Sequence, residues 1–336
     1  MTMRGRMSGR RFGLAWTIAL AMMAGTMIAA PAAAQSGGRY ALIVQGASGE
    51  PQYATQHRAW LDSLAAILRD RFGYEPSAVT IVAEQPRDGE TRATAENVRA
   101  AIVRLTASLA SSDQLLIVLI GHGTSQGQDA KFNLIGPDLS VAEWKALLAP
   151  IKATLAVVDT TSGSYPYLAG LAAPGRVVIT ATNSFAQQFH TVFPDAFVRA
   201  LTDTDADQDK DGRISLLEAF THASRLVREY YEQRGTMATE TAVIDDTGDG
   251  KGRLATAESP SGSPAALWYL DAPKVATSSD PELQTLLTRQ QALTNQVDEL
   301  RRRRATMTEE AFTREFEALL GDLAEVSREI RRRSGN

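Results

Sequence analysis

Cysteine is absent from this chain of 336 residues, and that absence removes whole classes of chemistry. There can be no disulfide framework, no thiolate nucleophile, no thioether-linked lipid and no sulfur-rich zinc site. A strong excess of charge of either sign is also missing: 35 Lys and Arg face 39 Asp and Glu, a formal net charge of -4. So small and evenly spread a charge argues against nucleic acid or an anionic membrane surface as the partner. Histidine is scarce, with 4 in the chain.

The long apolar stretch that does occur runs from Leu14 to Ala30, after Arg4, Arg6, Arg10 and Arg11 and before Ala32-Ala33-Ala34. A basic start, an apolar centre and small residues at cleavage spacing read as a secretory signal over residues 1–34. An uncleaved anchor is the alternative, since a spanning helix needs about 20 apolar residues, but an anchor has no need of the alanines. Arg10-Arg11-Phe12 resembles a twin-arginine signal with imperfect spacing. The expected mature protein is periplasmic or secreted, with no stable membrane anchor once the signal is removed.

From Tyr40 to about Asn183, short apolar runs alternate with helical patterns, the rhythm of an α/β protein with a doubly wound, mostly parallel sheet. Strands are expected at Tyr40–Gln45, Val79–Val82, Leu115–Ile120, Leu155–Asp159 and Val177–Ala181. Helices are expected between them at Thr55–Phe72, Thr94–Ala110 and Val141–Leu148. Thr94 and Ser140 stand where N-caps belong, and Val98, Ala101, Ile102 and Leu105 return at helical spacing. The domain closes near residue 271, and residues 271–279 read as a linker.

Asp280-Pro281 opens a further helix with a cap and a proline at its first position. Leu283, Leu286, Gln290, Leu293, Val297 and Leu300 form a seam, and Phe312, Phe316, Leu319, Leu323, Val326 and Ile330 form a second. Residues 280–334 therefore read as an antiparallel coiled-coil hairpin with arms of about 35 Å. It serves either as a packing arm on its own domain or as a surface for a homodimer or another partner.

Asp207, Asp209, Asp211, Gly212, Ile214, Ser215 and Glu218 fit the twelve-residue EF-hand pattern at every constrained position. Asp207, Asp209 and Asp211 offer oxygens from alternate residues, and Gly212 permits the sharp turn. Arg213 would add its carbonyl, Ser215 would act directly or through water, and Glu218 would close the site with both oxygens. Ca2+ is the expected cofactor, ordering flanking helices over about 195–234. Asp245, Asp246 and Asp249 begin a second such loop, but Thr256 stands where the closing glutamate belongs. That stretch reads as a weak second site or a glycine-rich turn.

Two of the expected strands end in suggestive ways. Leu115–Ile120 closes with Gly121-His122-Gly123, and Leu155–Val158 with Asp159-Thr160-Thr161-Ser162-Gly163. The arrangement resembles the caspase and legumain clan of cysteine peptidases. There, Gly-His-Gly ends one strand and Asp-x-Cys or Glu-Ala-Cys, followed by Ser-Gly, ends the next. The strand and helix order to about Leu201, the calcium loop, the Asp-Asp-x-Gly-Asp-Gly stretch and the terminal hairpin are similar to bacterial legumain-like members. The resemblance implies a general-base role for His122 and an oxyanion-binding role for the Gly123 amide. It puts Thr161 in the cysteine's place, or Thr160 if Ser162-Gly163 sets the register.

An alcohol needs a well-aligned base as it attacks, which a partly ionised thiol does not. The expectation is therefore a calcium-binding, caspase/legumain-like pseudopeptidase that acts by binding a protein or peptide. The alternative is a peptidase or amidase using Thr161 or Ser162 with His122. A turn that caps the next helix is the plainer reading of the three hydroxyls. His57, His190 and His222 have no comparable sequence context and read as ordinary residues.

Overall fold

The computed structural model describes residues 37–127, 129–260, 262–272, 277–304 and 307–334. The export signal expected over 1–34 lies outside the described residues, as do residues 273–276 of the expected linker. Among the described residues, no helix is long and apolar enough to cross a membrane.

The apolar runs form strands. A seven-stranded sheet is built from β1 (Arg39–Gln45), β2 (Val79–Ala83), β3 (Thr91–Arg92), β4 (Gln114–Ile120), β8 (Thr154–Asp159), β9 (Val177–Thr180) and β10 (Val243–Asp245). Their order is β10-β9-β8-β4-β1-β2-β3, and every pair is parallel except β9 with β10. Three short strands, β5 (Gly123–Gln126), β6 (Asp129–Phe132) and β7 (Leu139–Ser140), make a separate antiparallel sheet after β4. The α/β class with a mostly parallel sheet thus follows the alternation in the sequence, and the five expected strands lie within a residue or two of their predicted bounds.

Helices cover both faces, which is why the central strands are apolar on both sides. Leu116, Val118 and Ile120 of β4 pack toward α1 (Pro51–Ala66), α5 (Phe193–Ala200) and α6 (Leu216–Arg234). Leu115, Ile117 and Leu119 pack toward α2 (Ala95–Ser108), α3 (Val141–Leu148) and α4 (Tyr165–Leu171). Trp144, Trp268, Phe193, Phe197 and Phe220 are fully enclosed, each worth about 1.5–3 kcal/mol or more relative to exposure.

Local signals set several helix ends. Thr94 accepts from the Asn97 amide, and Ser140 and Glu143 form a reciprocal capping box. Helix α1 starts at Pro51 rather than Thr55, because proline at the first helical position lacks only an N–H that would have no partner there. Its last turn, Ile67–Arg71, widens into a π-helix. Helix α5 stops at Ala200 and a 3-10 turn covers Thr204–Ala206.

The terminal hairpin comprises α7 (Pro281–Arg302) and α8 (Glu309–Ser334). Asp280 caps α7 by accepting from the Glu282 amide, and Thr308 accepts from the Ala311 amide at 3.3 Å. Leu293, Val297 and Leu300 on one seam and Val326 on the other are buried. Gln290 Nε2 crosses between the arms to Ser327 Oγ at 3.0 Å.

Candidate functional site

In a parallel sheet of this kind, ligands meet the carboxyl ends of the strands. Strands β4 and β8 are neighbours with Leu119 opposite Asp159, so Gly121-His122-Gly123 and Asp159–Gly163 leave the sheet side by side. The close approach needs glycine: a Cβ on Gly123 would lie 2.6 Å from Thr161 Oγ1 and 3.1 Å from Gly163 Cα. Gly121, at φ +144°, turns the chain out of β4 beside Gly46.

None of the three hydroxyls is hydrogen-bonded to His122. Thr160 Oγ1 donates to the Leu119 carbonyl at 2.7 Å. Thr161 is 1% exposed, and its hydroxyl has no hydrogen-bond partner. Ser162 is half-buried, and no hydrogen bond joins any of the three to the imidazole. Nor do they cap the next helix. Helix α4 starts after Ser164, whose hydroxyl pairs with Thr182 Oγ1 at 2.9 Å. Asp159 accepts from the Thr161 amide through Oδ1 at 2.9 Å, while its buried Oδ2 has no partner. Complete burial raises the Asp159 pKa to about 7 against the pull of that amide and of the nearby Thr161 hydroxyl.

The imidazole of His122 instead faces α1 and the loop before α5. Its Nε2 lies 3.1 Å from the Ser48 carbonyl. The ring centroid is 5.1 Å from that of His57 and 5.9 Å from that of His190. His57 is 0% exposed, and both of its ring nitrogens lack hydrogen-bond partners; Nε2 of His190 is likewise buried and unpartnered. Burial first, then the neighbouring His122 and His190, lowers the His57 pKa to about 3, and burial followed by His122 lowers that of His190. Tyr53 and Trp60 line the cluster, with ring centroids 4.6 and 6.1 Å from His190.

This corrects the reading of His57 and His190 as ordinary. A signal for His57 was available: with Trp60, Leu61 and Leu64 it occupies the inward stripe of α1, a core position where an imidazole needs a partner. His190 lies in a loop without periodicity and gave no such signal. His222 sits elsewhere, bonded to Asp203 Oδ2 at 2.9 Å.

In the acidic loop, carboxylate oxygens of Asp207, Asp209 and Asp211 lie within 4.8 Å of one another, and Asp207 Oδ1 is buried without a partner. Gly212, at φ +84°, makes the sharp turn. Burial, then the charges of Asp211, Glu218 and Asp207, raise the pKa of Asp209 against the Asp211 amide. Glu218 is turned to donors of its own loop: Oε1 accepts from the Gln208 and Asp209 amides, Oε2 from the Ser215 amide and hydroxyl. Arg213 pairs through its side chain with Asp271 at 2.9 Å and lies over Tyr269.

The later acidic stretch has its carboxylates engaged. Asp245 accepts from the amides of Thr247, Gly248 and Gly250. Asp246 pairs with Arg253 and Ser263, and Asp249 accepts from the Lys251 amide. These bonds close a glycine-rich turn.

Fold and site together define an α/β protein whose mostly parallel sheet carries a histidine cluster at the carboxyl ends of its strands. Among solved structures, a protein of Geobacter sulfurreducens is similar over 62% of this chain and 92% of its own, at 16% identity and a TM-score of 0.41. The Drosophila initiator caspase Dronc is similar over 65% of this chain and 82% of its own, at 13% identity and a TM-score of 0.40. At such values the likeness carries no argument about fold family or activity. No family model matches the chain, and no curated protein does.

Proposed function

We propose that this chain is an exported, calcium-stabilised protein of caspase/legumain-like fold that has lost acyl-transfer chemistry and works by binding an extended peptide or protein segment. The observation that carries this reading is the divorce of base from nucleophile. His122 is engaged by Ser48 and two other histidines, Thr160 is bonded to the Leu119 carbonyl, and Thr161 is sealed from solvent. Serine and threonine hydrolases need the hydroxyl within hydrogen-bond reach of its base.

Exposed apolar side chains in the loop after β9 support binding at this edge. Phe189 and Phe185 are open to solvent, and Phe185 meets the Tyr165 ring edge-on at 5.0 Å. Calcium fits the three clustered carboxylates and the unpartnered Asp207 oxygen, with Glu218 giving up its backbone bonds to close the site.

The test is a library of fluorogenic peptides offered to the mature protein in calcium. We expect peptide binding that weakens in Phe189→Ser, without turnover. Hydrolysis abolished by His122→Ala, or by Thr161→Val or Ser162→Ala, would overturn the reading in favour of an alcohol nucleophile.

A further inference from the structure

Binding of a peptide leaves the histidine cluster unexplained. His57 comes from α1, His122 from the turn after β4 and His190 from the loop before α5, and one ring nitrogen of each lies within 4.8 Å of the other two. A helix, a turn and a loop separated by more than sixty residues have no local reason to bring their imidazoles together. We infer that His57, His122 and His190 form a site for a divalent transition-metal ion, zinc foremost, with the remaining coordination position left to an exogenous ligand.

The unpartnered nitrogens are the main reason. A buried polar atom without a partner costs about 1–3 kcal/mol, and His57 leaves both ring nitrogens in that state while His190 leaves Nε2. Aromatic packing alone would be better served by phenylalanine at position 57, which has no polar atom to satisfy. A metal ion takes up one nitrogen from each ring.

The chemistry of the donor set selects the ion. Three imidazoles with no carboxylate or thiolate among them suit Zn2+, Cu2+ or Ni2+, not the oxygen-seeking Ca2+ of the acidic loop. Zn–N bonds of about 2.0–2.1 Å in tetrahedral geometry place nitrogens about 3.4 Å apart. The observed spacing, within 4.8 Å, therefore needs a contraction of about 1.4 Å at most. With its Nε2–H donated to the Ser48 carbonyl, His122 keeps the Nδ1 lone pair for the metal, the outer hydrogen bond that commonly orients a ligating histidine.

Three protein ligands leave a tetrahedral ion open at one position. His122 and His190 are only half-buried, which sets the cluster near the surface, where an exogenous ligand could enter beside His122. Tyr53 and Trp60 line the cluster, and Trp60 is held by its indole N–H to Asp195 at 3.3 Å, which makes it a fluorescent reporter beside the site.

The experiment keeps the mature protein saturated with calcium and strips transition metals with a chelator that spares it. Zinc is then titrated by calorimetry, and Co2+ is added in a parallel sample to read its visible absorption. One equivalent of zinc should bind, Co2+ should give the intense bands of a tetrahedral site, and Trp60 fluorescence should be quenched by Cu2+. Asp207→Asn should leave zinc stoichiometry unchanged, which separates this site from the acidic loop.

His190→Asn should weaken zinc by more than the roughly 100-fold that loss of an outer-sphere partner causes, and should abolish the Co2+ bands. His57→Phe, which keeps the ring volume, should do the same; if it fails to fold, His190→Asn carries the test alone. Zinc binding that survives His190→Asn unchanged, or no stoichiometric binding to the native protein, overturns the inference. The readout is metal and not peptide, so it fails or succeeds independently of the peptide-binding reading.

Discussion

Glu240 offers a test of the packing that holds the histidine loop in place. It is buried, and its two oxygens accept from the amides of Val192 at 2.7 Å and Phe193 at 3.1 Å, just after His190, while the Tyr231 hydroxyl donates at 3.0 Å. Burial raises its pKa from 4.5 to about 7, outweighing those donors, which pull the other way. A carboxyl whose folded pKa lies above its unfolded one binds its proton more tightly in the fold. Its contribution is therefore intact below about pH 4.5 and is lost as pH rises toward 7. The gap is worth about 3 kcal/mol, at about 1.4 kcal/mol per pH unit.

Glu240→Gln replaces the acid with a neutral group of the same shape, so its stability should lack this component. In urea melts at pH 4, 5, 6, 7 and 8 with calcium fixed, the variant should match the wild type within about 1 kcal/mol at pH 4. It should gain on the wild type by about 3 kcal/mol by pH 8. Histidine titrations are common to both proteins and cancel in the difference. A difference independent of pH would refute the reasoning, and one of opposite sign would mean that the three donors win and Glu240 is ionised in the fold.

Thr161→Val removes a buried hydroxyl that has no partner, so stability should stay the same or rise by up to about 1 kcal/mol; a loss above 2 kcal/mol would reveal a bond that the geometry does not contain. Gly123→Ala should destabilise by about 1–3 kcal/mol, because its methyl meets Thr161 and the Gly163 backbone, and thermal melts would expose an error if it were neutral. Phe220→Ala, in the core between α6 and the sheet, should lose about 3–5 kcal/mol by denaturant titration. Raising Ca2+ to about 10 mM should stabilise the protein by about 1.4–2.7 kcal/mol if the affinity is that of extracellular loops. Asp207→Asn should lose most of that gain in calorimetric melts, and an equal gain in the variant would place the ion elsewhere.

Much of the architecture was legible in one dimension because it is repetitive. Apolar runs such as Leu115–Ile120 can only be satisfied between two helical layers, and Thr94 and Ser140 mark helix starts through their own side-chain bonds. The acidic loop is contiguous, so its spacing brought Asp207, Asp209 and Asp211 together on paper before coordinates did. Helix α1 opens at Pro51, four residues before the start that the apolar periodicity suggests.

Side-chain direction at the strand ends was not legible. Residue order put His122 and Thr161 at neighbouring strand ends, and adjacency of β4 and β8 keeps them there, but only the turn at Gly121 and the packing of α1 decide where the imidazole points. The missing thiol was settled by composition alone, since no fold can supply an atom that the chain does not contain. The meeting of His57, His122 and His190 was decided by tertiary structure, because their approach depends on how a helix, a turn and a loop far apart in the chain close over one edge of the sheet, and no local pattern encodes that distance.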